Sequence, residues 1–244
     1  MDCVDIIMPV YNCEKYIGKA IETVKKQTYT NWKIIIINDN STDNTKKEIE
    51  KKLEEKIIFI DLKEHVGVAE ARNIGLKNSK SRYIAFLDAD DMWVENKLEE
   101  QLNFMKKNEY GFTYTSFSYL KGNKQKKVKK IPESLTYNQA LKNTIILTST
   151  VMIDKQKIEE FCMPQIHSED TATWWTILKK GKKAYGLNKV LSIYRITNQG
   201  LSSNKVKNIR KTWDLYRKFE KLSYTKTLYY FSNYIVHAIE KRII

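Results

Sequence analysis

The sequence predicts an α/β fold built on a mostly parallel sheet. Through the first 120 residues, short apolar runs bounded by turn-forming residues alternate with longer stretches of helical periodicity, the pattern of strands joined by crossover helices. Acidic and polar residues also gather where the predicted strands end, which is where open α/β sheets bind ligands. A chain of 244 residues with 42% hydrophobic content is long enough for one such domain with a sizeable core.

Four strands and three helices are predicted in the first 90 residues, in the order β-α-β-α-β-α-β. The strands are the short apolar runs Val4–Met8, Lys33–Ile37, Ile57–Ile60 and Tyr83–Leu87. The helices are the intervening stretches Glu14–Gln27, Asn44–Glu55 and Val68–Asn78. The second helix follows Ser41-Thr42-Asp43, whose side-chain oxygens can cap its first turn.

Beyond residue 91 the alternation of strands and helices loosens. We predict a helix from about Glu95 to Asn108 and a strand near Phe112–Tyr119. Residues 121–130 contain six lysines and one glycine, which is typical of an exposed loop or hairpin tip. From Asn208 onward, apolar residues recur three or four positions apart and so share one face of a helix. They are Leu228, Phe231, Ile235 and Ile239.

The net charge of the chain indicates an anionic binding partner. The 43 Lys and Arg residues against 29 Asp and Glu give a formal net charge of +14, which favours nucleic acid, nucleotide phosphates or an acidic membrane face. Half of this charge lies in the tail from Leu201 onward, where ten basic and three acidic residues give a net charge of +7. An amphipathic basic helix there can lie on an anionic bilayer or pack its aromatic stripe on the domain, and the pattern leaves both open.

Cysteine usage and the N-terminus predict a cytoplasmic protein. The three cysteines, Cys3, Cys13 and Cys162, are an odd number without CxxC spacing, which fits a reducing compartment. The chain enters its first predicted strand without a basic flank or a long apolar stretch, so we expect neither a signal peptide nor a transmembrane helix. Any membrane contact is then peripheral, on the inner face of the plasma membrane.

Two acidic motifs follow predicted strands and suit ligand binding. Asp39 comes directly after the second strand, one residue too early to cap the next helix, so its carboxylate can accept a hydrogen bond from a base N–H. Asp88-Ala89-Asp90-Asp91 follows the fourth strand. Its crowded carboxylates repel one another unless a cation lies between them, and hard oxygen ligands suit Mg²⁺ or Mn²⁺ shared with a diphosphate. The alternative explanation is that acids at the start of the following helix are stabilised by its dipole, and this explains Asp91 but not all three carboxylates.

Two further segments are candidates for the functional site. Met8-Pro9-Val10-Tyr11-Asn12 follows the first strand, and there the proline fixes a turn and the tyrosine can lie against a planar base. Ser168-Glu169-Asp170 precedes a helix over Thr171–Lys179, where an acid taken alone is more often a cap than a catalyst. His65, His167 and His237 share no metal-site spacing, and we interpret them as ordinary polar residues.

Taken in this order, the motifs resemble those of the family-2 glycosyltransferases of GT-A fold, particularly bacterial enzymes that build capsular, teichuronic-type or lipopolysaccharide glycans. The resemblance runs from Ile6 to about Ser203. The matching stretches are Ile6–Asn12, Ile37–Asp43, Gly67 with Ala71-Arg72-Asn73, Tyr83–Asp91 and Glu169-Asp170.

The resemblance implies a function and a domain division. The chain would be an inverting, metal-dependent enzyme that moves a sugar from a nucleotide-diphosphate sugar, with UDP expected, to a saccharide or lipid-linked acceptor. Residues 1–203 would form the catalytic domain, with a nucleotide-binding half over 1–91 and an acceptor half over 92–203. Residues 204–244 would be a basic amphipathic helical extension.

The resemblance also implies roles for individual residues. Pro9, Tyr11 and Glu14 would line the base and ribose, and Asp39 would accept the uracil N–H. Arg72 would lie near the diphosphate, Asp88 would contact ribose or metal-bound water, and Asp90 would bind Mn²⁺ or Mg²⁺. Asp170 would be the catalytic base. Independently of the resemblance, Trp174 and Trp175 can offer an apolar face to the acceptor sugar, although core packing suits one of them at least as well. The residues predicted to contact the acceptor are Glu169 and Trp174.

Two other functions fit parts of the sequence. A sugar-phosphate nucleotidyltransferase shares the layout and the acidic metal site, but it needs a glycine-rich loop after the first strand, and Pro9-Val10-Tyr11-Asn12 contains no glycine. A nucleic-acid-binding protein fits the net charge, but no zinc-finger, RNA-recognition or helix-turn-helix signature appears. We therefore expect no nucleic-acid partner.

Overall fold

The computed structural model describes residues 2–122, 124–197 and 205–243, and in this part of the chain ten strands form one mixed sheet flanked by helices. The strands are β1 Val4–Val10, β2 Trp32–Asn38, β3 Ile57–Asp61, β4 Tyr83–Phe86, β5 Met92–Trp93, β6 Phe112–Lys121, β7 Lys124–Lys129, β8 Ser134–Leu135, β9 Met152–Asp154 and β10 Ala184–Arg195. The sheet order is β3-β2-β1-β4-β9-β6-β10-β5, with β7 paired to β6 and β8 to β10.

Eight α-helices are described. They are α1 Ile17–Lys25, α2 Thr45–Glu50, α3 Val68–Asn78, α4 Lys97–Lys107, α5 Tyr137–Lys142, α6 Glu169–Lys179, α7 Lys205–Asp214 and α8 Tyr224–Ile243. A 3₁₀ turn over Thr148–Thr150 and a π-helical segment over Leu215–Phe219 complete the regular structure.

The predicted α/β alternation is confirmed, with differences at element ends. The second helix stops at Glu50, five residues before its predicted end. Pro9 lies inside β1 and not in a turn. It is tolerated there because pairing of β1 with β4 ends at Ile7, so only the β2 side of the strand is hydrogen-bonded at Pro9.

Two apolar layers enclose the sheet. On one face, α1 buries Ile17, Ala20, Ile21 and Val24, whose spacing makes one continuous stripe against the strands. On the other face, α3 approaches β1 so closely that a Cβ atom at Gly75 would lie 2.6 Å from the Ile7 side chain. Strand β1 is buried along its whole length, as expected for a central parallel strand covered on both faces.

Six strands point in the same direction. Strands β1, β2, β3 and β4 pair in parallel, and β9 runs antiparallel between β4 and β6. Strand β6 is therefore parallel to β4, and β10 is parallel to β6. The carboxyl ends of all six lie at one edge of the sheet, where the chain's polar loops meet.

The C-terminal extension packs on the domain through aromatic residues. Tyr216 is fully buried and stacks on Trp175 of α6 with ring centroids 5.2 Å apart. In the predicted apolar stripe, Phe231 packs edge-on against Trp213, whereas Leu228 is 58% exposed and the side chain of Ile239 lies outside the described residues. Trp213 belongs to α7, so that contact lies within the extension, but Phe231 also packs against the buried core cluster that includes Leu141 and Trp175. Docking on the domain therefore accounts for part of the stripe. Among the helices described, none has the length and apolar character to cross a bilayer.

Candidate active site at the carboxyl edge of the sheet

The acidic loop after β4 contains three carboxylates, of which Asp91 is the most deeply buried. Asp91 is fully buried, and it accepts hydrogen bonds from the Ser149 hydroxyl at 2.6 Å and the Arg195 backbone N–H at 2.9 Å. Burial, together with the charge of Asp90, raises its pKa well above the ordinary value. Asp91 therefore holds the loop in shape and is not at the start of a helix, since α4 begins at Lys97.

Asp90 is the carboxylate of this loop that is open to a ligand. Within the described chain, the Asp90 carboxylate accepts no hydrogen bond from another residue, whereas the Asp90 backbone carbonyl accepts one from Arg195. Burial, with the nearby charge of Asp88, raises its pKa to about 6, while Arg195 acts in the opposite direction. A divalent cation would relieve this repulsion, and one or two carboxylates completed by phosphate oxygens and water are a usual Mg²⁺ ligand set.

Arg72 connects the acidic loop to helix α6. Its Nη2 lies 2.7 Å from the Asp88 carboxylate and its Nη1 lies 2.6 Å from that of Glu169. Burial would lower the pKa of Arg72, but the charges of Asp88 and Glu169 outweigh burial and raise it. The Arg72 side chain is only 5% exposed, so it lies beneath the loop as an ion-pair bridge.

Asp170 is brought to the acidic loop by the 3₁₀ turn. Its Oδ2 accepts a hydrogen bond from the Thr148 hydroxyl at 3.0 Å. The next residue, Ser149, donates to Asp91 and accepts from the backbone N–H of Asp88 at 3.1 Å. Two adjacent hydroxyls therefore contact the two acidic segments. This turn was not predicted from the sequence, although buried hydroxyls in the run Thr148-Ser149-Thr150 are a usable signal.

Tyr11, His65 and Asp39 form a second cluster where β1 and β2 end. The Tyr11 and His65 rings lie 4.2 Å apart, and His65 Nδ1 lies 3.0 Å from an Asp39 carboxylate oxygen. Asp39 also accepts the backbone N–H groups of Val66 at 2.7 Å and Gly67 at 2.9 Å. Gly67 permits this turn because its φ is +88°. His65 is therefore more than the ordinary polar residue predicted from the sequence, because it contacts two predicted site residues.

Glu14 lies beside this cluster and ties two loops together. Its carboxylate accepts hydrogen bonds from the Asn44 backbone N–H at 2.9 Å and the Asn44 side chain at 3.0 Å. Asn12 makes a parallel connection, because its side-chain oxygen accepts the Thr42 backbone N–H at 2.8 Å. Pro9, by contrast, is buried in β1. The loops after β1 and β2 thus form one hydrogen-bonded unit.

Two predicted acceptor contacts are corrected by burial and pairing. Trp174 is 2% exposed and packs against Phe86 and Phe112, so its ring has no free face for a sugar. The Glu169 carboxylate is mostly buried and is paired with Arg72. Burial and the charge of Asp170 raise the pKa of Glu169, and Arg72 opposes them. Glu169 therefore holds Arg72 in place, and Trp174 packs in the core beneath the site.

Arg195, which was not among the predicted site residues, also contacts the acidic loop. Its Nε donates to the Asp90 backbone carbonyl at 2.9 Å, and its guanidinium lies over the Tyr16 ring at 4.8 Å. Among the described residues, no three His, Cys, Asp or Glu side chains form a ready cation cage. A cation at Asp90 would therefore need further ligands from a bound substrate.

The acidic loop, the 3₁₀ turn and the Tyr11 cluster lie within residues 5–162, which match the family model described as glycosyl transferase family 2; Asp170 follows the matched segment. The chain belongs to this family. It is therefore a glycosyltransferase, and the family membership decides against both the nucleotidyltransferase and the nucleic-acid-binding alternatives.

Two family-2 relatives match nearly the whole chain. TuaG of Bacillus subtilis (strain 168), a glycosyltransferase assigned to teichuronic acid biosynthesis, is 42% identical over 245 residues, which cover 98% of this chain and 97% of TuaG. WfgD of Escherichia coli, a UDP-Glc:α-D-GlcNAc-diphosphoundecaprenol β-1,3-glucosyltransferase, is 38% identical over 239 residues, which cover 98% and 94% of the two chains.

A solved glycosyltransferase structure confirms the predicted fold. TarS of Staphylococcus aureus, residues 1–349 in complex with UDP-GlcNAc, superposes with a TM-score of 0.71 at 18% sequence identity. The match covers 96% of this chain and 72% of the TarS chain. The GT-A architecture of the family-2 chain is thus shared with a protein of much-diverged sequence.

Proposed function

We propose that this glycosyltransferase moves a hexose or N-acetylhexosamine from a UDP-sugar to a hydroxyl of a saccharide or lipid-linked saccharide during bacterial surface polysaccharide synthesis. The near full-length similarity to WfgD, whose name specifies a UDP-sugar donor and a diphosphoundecaprenol-linked acceptor, supports both substrate classes. The similarity to TuaG supports the surface-glycan setting.

Asp170 is the catalytic base in this proposal. The observation that carries the assignment is the turn whose neighbouring hydroxyls contact Asp170 and Asp91, because it keeps a carboxylate beside the acidic loop. The acceptor oxygen forms a bond to the anomeric carbon as the bond to the diphosphate oxygen breaks, and the hydroxyl proton passes to Asp170. A well-placed base contributes about 10²–10⁴-fold to rate. A single displacement inverts the anomeric configuration.

Asp90, with Asp88 beside it, would hold Mn²⁺ or Mg²⁺. When bound there, the cation would neutralise negative charge that develops on the diphosphate leaving group. The free carboxylate of Asp90 and its raised pKa support this assignment. Arg72 then keeps Asp88 and Glu169 in place, and the Arg195 guanidinium adds positive charge near the loop.

Tyr11, Asp39 and Glu14 would form the nucleoside side of the site. The half-exposed Tyr11 ring offers a face to the uracil base. Oδ1 of Asp39 accepts only the Val66 N–H, whereas Oδ2 accepts the Gly67 N–H and also lies against His65 Nδ1. Oδ1 therefore keeps a lone pair with which Asp39 would accept the uracil N–H. Pro9, which is buried in β1, would lie beneath the base and shape that side of the site. These assignments place the nucleotide-binding half in residues 1–91 and the acceptor half in 92–203.

A lipid-linked acceptor would bring the enzyme to an anionic membrane surface on the cytoplasmic side. The C-terminal extension supports such a contact. Exposed apolar side chains lie along α8, namely Tyr224, Leu228, Tyr229 and Val236. Lysines lie near them, including the exposed Lys218, Lys221 and Lys226. This combination is typical of peripheral membrane helices.

The test measures acceptor-dependent UDP release from a panel of UDP-sugars with Mn²⁺, and the product anomer by NMR. We expect an inverted anomer, and we expect Asp170→Asn to lower kcat by at least about 10²-fold while UDP affinity stays within about twofold. Glu160→Gln, an exposed carboxylate shortly before α6, is the matched control. Normal turnover by Asp170→Asn, or retention of configuration, would contradict the proposal.

A further inference from the structure

One strongly charged surface is unexplained by the proposed donor site. Strands β6 and β7 form a hairpin. Residues 121–130, which run from the last residue of β6 through β7 to the residue after it, include no acidic residue and contain Lys121, Lys124, Lys126, Lys127, Lys129 and Lys130. We call residues 117–130 the basic hairpin. This segment carries six of the chain's positive charges within ten positions.

The basic hairpin rises from the edge of the sheet that holds the acidic loop. In the parallel pairing of β6 with β10, Leu120 lies beside Arg195, and the Ile196 N–H donates to the Leu120 carbonyl at 2.8 Å. Arg195 contacts Asp90 and Asp91. Since neighbouring strands lie about 4.8 Å apart, Lys121 begins roughly one strand's width from the contacts to the acidic loop.

The described lysines of the basic hairpin have no acidic partners. Lys121 and Lys124 face each other in the cross-strand register, and like charges placed directly opposite destabilise a hairpin. In the described chain, neither lysine forms an ion pair, whereas Lys106, Lys180 and Lys189 each contact a carboxylate at 2.7–2.8 Å. A bound polyanion would relieve the repulsion.

Aromatic side chains lie at the base of the basic hairpin, where β6 pairs with β10. Tyr119 and Tyr194 pack edge-on with ring centroids 5.9 Å apart, and Phe117 lies 5.3 Å from Tyr119. Both tyrosines are only partly buried. Amphipathic rings of this kind offer an apolar face and a hydroxyl to a pyranose. The Tyr119 ring and the lysines of the hairpin therefore lie close together in the same two strands.

We propose that the basic hairpin binds the diphosphate of the acceptor, a sugar joined through a diphosphate to a lipid. This inference rests on the proposed glycosyl transfer and specifies its acceptor class. Tyr119 and Tyr194 contact the acceptor sugar near the acidic loop, and Lys121 and Lys124 bind its two phosphates. Exposed lysines attract phosphate over about a Debye length, roughly 8 Å at physiological salt.

The test compares two soluble acceptors with the full chain. One is α-GlcNAc diphosphate esterified to a short alkyl chain, and the other is the neutral alkyl glycoside of GlcNAc. For the variant Lys121→Gln/Lys124→Gln, we expect KM for the diphosphate acceptor to rise about tenfold. KM for the neutral acceptor and for the UDP-sugar should not change. The control, Lys77→Gln/Lys80→Gln, removes two exposed lysines at the far end of α3.

Four outcomes would overturn the diphosphate assignment, and they differ in whether they also contradict the proposed function. An equal KM for both acceptors in the unaltered chain, or equal effects of the variant on both, overturns it and leaves glycosyl transfer intact. Absence of transfer to either acceptor overturns the proposed function together with this inference. Loss of binding to phosphatidylglycerol vesicles by the hairpin variant, with unchanged KM for the diphosphate acceptor, assigns the lysines to the membrane and also overturns it.

Discussion

Arg72 and Glu169 lie 97 positions apart in the chain, yet Nη1 of the arginine is 2.6 Å from the glutamate carboxylate. This contact joins helix α3 to the first turn of α6, next to Asp170. The same guanidinium also holds Asp88. The relative position of the acidic loop and Asp170 therefore depends on the buried Arg72 guanidinium as well as on the hydroxyls of the 3₁₀ turn.

Replacement of Arg72 should impair catalysis because Asp88 and Glu169 would no longer be held in position. Arg72→Lys keeps the charge but cannot bridge both carboxylates with a planar fork, so we expect kcat to fall by about 10-fold or more while UDP affinity changes little. Arg72→Ala should unfold more readily, by roughly 3–5 kcal/mol, because it leaves buried charges unpaired. Steady-state kinetics and urea unfolding measure both effects. Arg82→Lys, at the bidentate pair with Asp154, is the matched control, and equal kcat losses in the two variants would contradict the positioning role.

Asp90 should make cation-dependent nucleotide binding sensitive to pH. Because binding requires the carboxylate and its pKa is about 6, UDP affinity in Mn²⁺ should fall as pH is lowered through about 6. Removal of Mn²⁺ by EDTA should weaken UDP binding in the same assay. Asp90→Asn should bind UDP weakly and without this pH dependence in calorimetric titrations. An unaltered Mn²⁺ effect in Asp90→Asn would exclude Asp90 as a ligand.

The same carboxyl should destabilise the metal-free fold at neutral pH. A pKa raised above 3.8 means that the folded state binds the proton more tightly than the unfolded state, so stability is lost as pH rises from about 4 to 6. Metal-free Asp90→Asn should therefore be more stable at pH 7.5, on the order of 1–3 kcal/mol. Urea unfolding at pH 4 and pH 7.5 measures this, and a variant that is less stable at pH 7.5 contradicts the assignment.

His65 should contribute to nucleotide affinity through Tyr11 and Asp39. His65→Ala removes both contacts, and we expect UDP affinity to fall about 5-fold, within the range of an aromatic pair. His65→Phe keeps a ring against Tyr11 but loses the contact with Asp39, so its affinity should be intermediate. Calorimetry with UDP distinguishes these variants. Wild-type affinity in His65→Ala would show that the contact has no role in binding.

Tyr216 should anchor the C-terminal extension. Tyr216→Ala removes a fully buried ring stacked on Trp175, and core truncations of this size cost about 3–5 kcal/mol. Tyr216→Phe loses only the hydrogen bond to the Leu141 carbonyl, about 1 kcal/mol. Urea unfolding measures both. Tyr224→Ala, which alters a ring that is 69% exposed, should have a much smaller effect; a similar loss there would argue against specific docking.

The outward side chains of α8 should mediate membrane contact. Leu228→Gln/Val236→Gln removes two exposed apolar groups without a change of net charge, so sedimentation with phosphatidylglycerol vesicles should fall several-fold. Leu53→Gln, at a residue that is 46% exposed beyond the end of α2, is the control. Equal binding by the unaltered chain and both variants would assign the membrane contact elsewhere.

The sequence by itself determined the parallel α/β core and the edge at which the site lies. Apolar runs such as Val4–Met8 and the stripe of α1 report burial locally, because the periodicity of each element is written in consecutive residues. The motif order then identified the family, and with it the acidic loop and Asp170 as candidate residues.

The tertiary structure decided what each polar side chain contacts. It separated the anchored Asp91 from the available Asp90, buried Trp174, and brought His65 against Tyr11. These outcomes depend on strand register and helix packing, which join residues far apart in the chain. Local periodicity carries no information about such partners, so the environment of a carboxylate or an imidazole could be known only once the chain was folded.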